Sequence, residues 1–422
     1  MPKTHVNQAQ RLSPFRIVQD LVGWIDPRQE GNPLRVLLVF VPVAVWLRFS
    51  HGPPLVQFAF ALLALIPLAA VMGEATEHLA ERTGPAIGGL MNATFGNAVE
   101  LIIALALLFK GKDTVVKASL TGSILGNLLL VLGAALFAGG LRFRTQTFNR
   151  TAAGAISTMM ILAAMGMLLP AIFHSLPEVV NLEDRNQLNI ERGLSLGVSA
   201  ALMAAYLLCL LFSLFTHKSL FSNDSEHSGV DQQEHGEPAG TMDGVWSVRR
   251  SLTILLVMTV LVSLLGEILA ENVSESGRHL GLTELFLGVI VVAVVGNAAE
   301  HSSAVMVALK DKTDLAVGIA LGSAVQVALF VTPVLVFASY LRPEPMDLLF
   351  TTLEIVSVLL AAFAARMVTE DGESNWLEGA MLMIVYGLLA ITFYFHPATD
   401  LDAGHSQEGP PAAHAVQPAT GH

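Results

Sequence analysis

The sequence predicts an all-α polytopic membrane protein with about eleven transmembrane helices, arranged as two inverted five-helix repeats. Three observations lead there. The 422-residue chain is 53% hydrophobic and only 14% charged, against about 25% charged in a soluble domain. Nearly every stretch between polar loops is an apolar run of roughly 20 residues, enough to cross a hydrocarbon core about 30 Å thick. A motif in the first half also returns in the second at a fixed offset of 200 residues. The net charge of −12 opposes a nucleic-acid binder. The single cysteine, Cys209, excludes an intrachain disulfide and a cysteine-based metal centre.

Taken in order, residues 1–33 are polar and carry Lys3, Arg11, Arg16 and Arg28. They lack the apolar core and small-residue cleavage site of a cleaved signal peptide. Eleven spans follow: 34–50, 54–73, 85–109, 113–140, 151–175, 193–216, 249–270, 284–309, 313–340, 347–368 and 376–396. They read as helices because barrel strands alternate polarity over about ten residues, and these runs do not. The expected organisation is therefore an N-terminal segment with a first helix (1–53), a five-helix repeat (54–217), an acidic cytosolic linker (218–248), a second five-helix repeat (249–396) and a disordered tail (397–422). The linker carries Asp224, Glu226, Asp231, Glu234, Glu237 and Asp243 against a lone lysine, as a flexible tether does. With the N-terminus inside, fifteen Lys and Arg fall inside and eight outside, which agrees with the positive-inside rule.

Gly96-Asn97-Ala98-Val99-Glu100 recurs as Gly296-Asn297-Ala298-Ala299-Glu300. At the same shift Ala104 matches Ala304, Lys110 and Lys112 match Lys310 and Lys312, Gly122-Ser123 matches Gly322-Ser323, and Leu129 matches Leu329. These are ten identities in 35 ungapped positions. Apolar bias generates Ala and Leu matches, but not Gly-Asn-Ala-x-Glu and Gly-Ser at constant spacing. Five spans per copy is an odd number, so the second copy enters the membrane from the opposite side. That makes the halves inverted repeats, which in secondary transporters bind substrate near the midplane at their interface.

Glu100 and Glu300 fall deep in their spans, where a charge costs about 2.5–3.5 kcal/mol. Asn97 and Asn297 precede them by three residues and share their helix face. Gly96 and Gly296 permit close helix approach and free carbonyls. Ser123 with Asn127, and Ser323 with Gln326, add hydroxyl and amide oxygens on the next spans. Two carboxylates and several neutral oxygens suit a hard cation, since Ca²⁺ takes about 6–8 oxygen ligands. With no buried cysteine and no spaced His pair, Zn²⁺ and Cu are disfavoured. Once the ion leaves, two bare carboxylates facing each other at low dielectric take up protons. Competition between H⁺ and a divalent cation for one pair of acids is then a mechanism of exchange.

A second acidic set comprises Glu74, Glu77 and Glu81 at the end of span two and Glu267, Glu271 and Glu275 at the end of span seven. Each forms a stripe on one helical face. Glu74 and Glu267 are the deepest, and so the gating or proton-relay candidates, although solvated helix ends would carry the same pattern. His301, beside Glu300, is a candidate proton carrier. Adjacent helical residues point about 100° apart, which favours a packing hydrogen bond there.

At GGLMNATFGNAVELIIAL, GSILGNLLLVLG, GNAAEH and GSAVQVALFVTP the chain resembles the cation/proton exchangers, the Ca²⁺/H⁺ antiporter branch of the cation/Ca²⁺ antiporter superfamily. The resemblance covers about residues 54–396. It implies an eleven-span exchanger whose Glu100, Asn97 and Ser123, with Glu300, Asn297 and Ser323, hold Ca²⁺. It also implies that spans two and seven slide past the core, which gives Glu74 and Glu267 a gating role. Neither repeat has the Ser/Thr and Pro that Na⁺/Ca²⁺ exchangers place around the repeat acid, which favours protons over Na⁺. The expected partners are Ca²⁺ and H⁺ as transported ions and the lipid bilayer, without nucleic acid or cofactor; a homo-oligomer is compatible. Na⁺-coupled or broad cation exchange is the alternative, followed by a cation channel. No nucleophile–base pair or HExxH motif points to an enzyme. The compact chain points to a bacterial cytoplasmic membrane, with a vacuolar membrane as the alternative.

Overall fold

The computed structural model describes residues 33–83, 88, 90–91, 94–180, 184–217 and 246–397. The N-terminal segment before them, most of the acidic linker and the C-terminal tail lie outside the described residues. A 3₁₀ turn leads into α1 (Phe40–Phe49), followed by α2 (Pro54–Thr83), α3 (Ala98–Phe109), α4 (Asp113–Arg142), α5 (Arg150–His174) and α6 (Asp184–Leu211). The second half holds α7 (Val248–Leu280), α8 (Glu284–Gly296), α9 (Ala298–Ala308), α10 (Thr313–Ser339), α11 (Thr352–Val368) and α12 (Trp376–Tyr394). Among the described residues, seven helices are long and apolar enough to cross a membrane, or eight if the bent pair α8–α9 counts as one span. The other expected spans fall on the shorter α1, α3 and α11, and part of the span expected at 85–109 lies outside the described residues.

Several expected boundaries move, each for a local reason. Span two does not stop at residue 73: α2 runs to Thr83, because the good helix formers Glu74, Glu77 and Glu81 continue it. Likewise α7 runs to Leu280 and stops where Gly281 takes a left-handed φ of 69°, the usual glycine beyond a helix end. Span ten begins at 352 rather than 347, since Thr351 and Glu354 form a reciprocal capping box there. The spans expected at 85–109 and 284–309 are not continuous helices. Each breaks at its Gly-Asn pair, and α8 and α9 meet at 55°.

The buried core lies between the halves. α7 packs along α2 and also against α3, the first part of α4 packs on α8, and the second part of α4 packs on α12. Backbones nearly touch at the α4–α8 contact: a Cβ added to Gly122 would come within 2.0 Å of the Val289 carbonyl oxygen. By contrast, Leu162 and Leu169 on α5, Leu208 on α6, and Ile384 and Leu388 on α12 are exposed, as in helices that face lipid.

Polar contacts sort the chain ends into two groups. In one, Arg48 lies 2.8 Å from Glu271 and 3.4 Å from Glu267, and Lys110 lies 2.8 Å and 3.3 Å from the same two acids. The Glu271 hydrogen bond holds the Lys110 ammonium above its ordinary range. Arg342 with Asp113 and Lys117 with Asp347 belong to this group. In the other, Arg82 donates to the Trp246 carbonyl, Arg142 to the Leu309 carbonyl, and the Asn149 amide to Asp314. A two-residue ribbon there pairs β1 (Gln146–Thr147) with β2 (Glu373–Ser374), antiparallel. Each pair joins ends that the sequence places on the same side of the membrane.

Candidate functional site

The Gly-Asn breaks create the site. Asn97 (φ −100°, ψ 25°) and Asn297 (φ −90°, ψ 11°) have turn conformations immediately before α3 and α9. Rather than sharing a helix face with its Glu, each Asn stands at the helix start. Glu100 and Glu300 consequently fall in the first turn of a new helix, where the positive end of the helix dipole favours an anion. This local term offsets part of the cost of a carboxylate at depth.

The neutral side chains bond across the two halves. Asn297 Nδ2 donates to Ser123 Oγ at 3.0 Å, and Ser323 Oγ donates to Asn97 Oδ1 at 2.8 Å. Each repeat's Asn is thus tied to the Ser of the other repeat. Asn127, fully buried, donates from Nδ2 to both Asn297 Oδ1 (3.0 Å) and Ser323 Oγ (2.9 Å). Asn97 Nδ2 donates to Gln326 Oε1. Gly296 faces the first-half acid, its added Cβ falling 3.5 Å from Glu100 Cγ. Gly96 is the turn residue before Asn97.

Glu100 is buried and lies within electrostatic reach of Glu300, which is half-buried. Neither Glu100 oxygen, nor Asn127 Oδ1, has a hydrogen-bond partner among the described residues. Buried polar atoms are nearly always paired, so three unpaired acceptor oxygens at one interface single this place out as the candidate site. Among the described residues no three His, Cys, Asp or Glu side chains cluster as a metal-holding group. The carboxylates here number two, and the remaining oxygens are neutral.

Other candidates lie elsewhere. Glu267 is 42% exposed and held by Lys110 and Arg48, so it belongs to a surface ion-pair cluster. Glu74 is half-buried on α2. The packing hydrogen bond expected of His301 is not found at Nε2, which is buried without a partner among the described residues. That nitrogen lies 4.0 Å from the position of a Cβ on Gly126, in space that the missing side chain leaves open. Sequence reasoning overlooked Glu354, a buried acid whose oxygens accept from the Thr351 amide and hydroxyl and from Thr121 Oγ1. Its signal was the Thr-x-x-Glu spacing before an apolar run, and its partners give it a capping role.

An all-helical membrane body, with amides and hydroxyls bonded across its two halves and two acids beside them, has the architecture of a secondary cation transporter. The sodium/calcium exchanger protein family matches in two blocks, residues 53–215 and 250–395, and the chain belongs to that family. It is 42% identical over 372 residues to a protein named Ca(2+)/H(+) antiporter of Aphanothece halophytica, covering 86% of this chain and 96% of that one. Identity is 41% to the Ca(2+)/H(+) antiporter ChaA of Bacillus subtilis (strain 168), over 84% and 96% of the two chains. Among solved structures, native YfkE superposes with a TM-score of 0.71 at 38% identity, covering 86% of this chain and all of that one.

Proposed function

We propose that the protein exchanges Ca²⁺ for H⁺ across a membrane by alternating access, with Glu100 and Glu300 binding the metal or protons in turn. The three unpaired acceptor oxygens at the interface carry this reading. Asn97, Asn297, Ser123, Ser323 and Gln326 are the neutral oxygen donors around the acids, and Gly96 and Gly296 bring the two breaks together. Residues 54–217 and 249–396 act as inverted halves, a reading supported by the crossed Asn–Ser pairs. Relatives named Ca(2+)/H(+) antiporter support the choice of ions. The bacterial relatives are 41–42% identical and the vacuolar ones 35–37%, which supports a bacterial cytoplasmic membrane.

The test is uptake of radiolabelled Ca²⁺ into proteoliposomes with an acidic interior. Wild type should take up Ca²⁺ only with the pH gradient, and a protonophore at clamped voltage should abolish uptake. Glu100→Gln and Glu300→Gln should each reduce it to background. Uptake that follows a Na⁺ gradient at clamped pH would change the coupling ion. Normal transport by both variants would refute the role of the acid pair.

A further inference from the structure

A cavity of about 700 Å³ opens on the linker side of the molecule, where the start of α5, the end of α11 and the π-helical turn after α6 meet. Arg150 and Arg366 line it. Neither guanidinium has an ion pair or hydrogen bond among the described residues. Arg366 lies against Gly154, whose added Cβ would come 2.8 Å from its Nη1. That glycine lets the guanidinium reach α5.

Helix stability does not explain this pair. Arg366 in the last turn of α11 suits the negative end of that helix, but Arg150 is the first residue of α5, whose first turn holds no acid. A cation there opposes the helix dipole. Two unpaired positive charges and the positive end of a helix therefore face one cavity, in a chain of net charge −12. Glu370 also lines it, leaving the cavity a net charge of +1. Further along the same three helices, Leu162 and Leu169 of α5, Leu360 and Phe363 of α11, and Leu208 and Leu211 of α6 are all exposed.

We propose that this cavity binds one monoanionic phospholipid of the phosphatidylglycerol class, its phosphate held between Arg150 and Arg366 and its acyl chains lying along the exposed apolar residues of α5, α6 and α11. The guanidinium fork suits phosphate oxygens, and basic pockets between membrane helices recognise anionic headgroups at this level. A single phosphodiester charge balances the net charge of the lining.

The test is native mass spectrometry of the full chain in detergent with equal phosphatidylglycerol and phosphatidylcholine. Wild type should retain one phosphatidylglycerol with about tenfold preference, the low end of what one charge-assisted hydrogen bond contributes. The double variant Arg150→Gln/Arg366→Gln should lose that preference, while Arg150→Lys/Arg366→Lys should keep part of it. Equal retention of both lipids by wild type, or the same loss in the Gln and Lys pairs, would overturn the proposal. Inorganic phosphate raising the melting temperature as much as phosphatidylglycerol would overturn the lipid assignment. So would a lipid-free dimer that the Gln pair abolishes.

Discussion

Asn127 holds the two halves together through a residue that the repeat does not contain. Its counterpart 200 residues on is Val327, and Gln326 corresponds to Gly126. Their amides nonetheless complete one network, since Asn127 serves Asn297 and Ser323 while Gln326 serves Asn97. Replacing Asn127 with the repeat's own residue, Asn127→Val, removes two donated hydrogen bonds and one unpaired acceptor. At about 0.6 kcal/mol for each of these two membrane hydrogen bonds, the KM for Ca²⁺ should rise roughly eightfold, with the maximal rate less affected. Concentration-dependent uptake measures this, and an unchanged KM would remove Asn127 from the site. The paired Asn, Ser and Glu positions were legible because duplication printed them twice. Asn127 and His301 were only partly legible, since their roles depend on which side chain the opposite half lacks.

Among the helices, the site depends on departures from regular geometry that apolar runs conceal. π-helical turns interrupt the long helices at Gly126–Val131, Leu287–Val292 and Val327–Val331. The run LGVIVV has nothing in its composition to distinguish such a turn from an α-helix, so the sequence showed spans but not their interruptions. The Gly-Asn breaks were visible as residue types, but their effect was hidden until the helix ended there and Glu became a first-turn residue. Close packing gives a test of these contacts. Gly122→Ala places a methyl group within 2.0 Å of the Val289 carbonyl oxygen, a backbone atom that cannot rotate away. Separating α4 from α8 should cost about 1–3 kcal/mol and lower the melting temperature in detergent. At the repeat position, Gly322→Ala meets no described atom within 4 Å and should melt near wild type. Equal melting of both variants would mean that the α4–α8 contact is looser than described.

For the whole molecule, the proposed exchange needs halves that run in opposite directions, so that Glu100 and Glu300 approach one site from opposite sides. Composition made the membrane body legible, whereas the orientation rests on the excess of Lys and Arg inside and the side of each loop on an odd span count. The polar contacts constrain it independently: Arg144 and Asp371 each lie two residues before a strand of the β1–β2 ribbon, and Glu344 lies just beyond Arg342, which pairs with Asp113. Arg144 and Glu344 are repeat mates, 200 residues apart, and both are exposed. In a Cys209→Ser background, single Arg144→Cys, Asp371→Cys and Glu344→Cys variants in right-side-out vesicles should separate cleanly. An impermeant maleimide should label the Glu344→Cys protein directly, and the Arg144→Cys and Asp371→Cys proteins only after permeabilisation. Labelling of both repeat mates from one side would make the repeats parallel, and the two acids would then no longer be related by inversion.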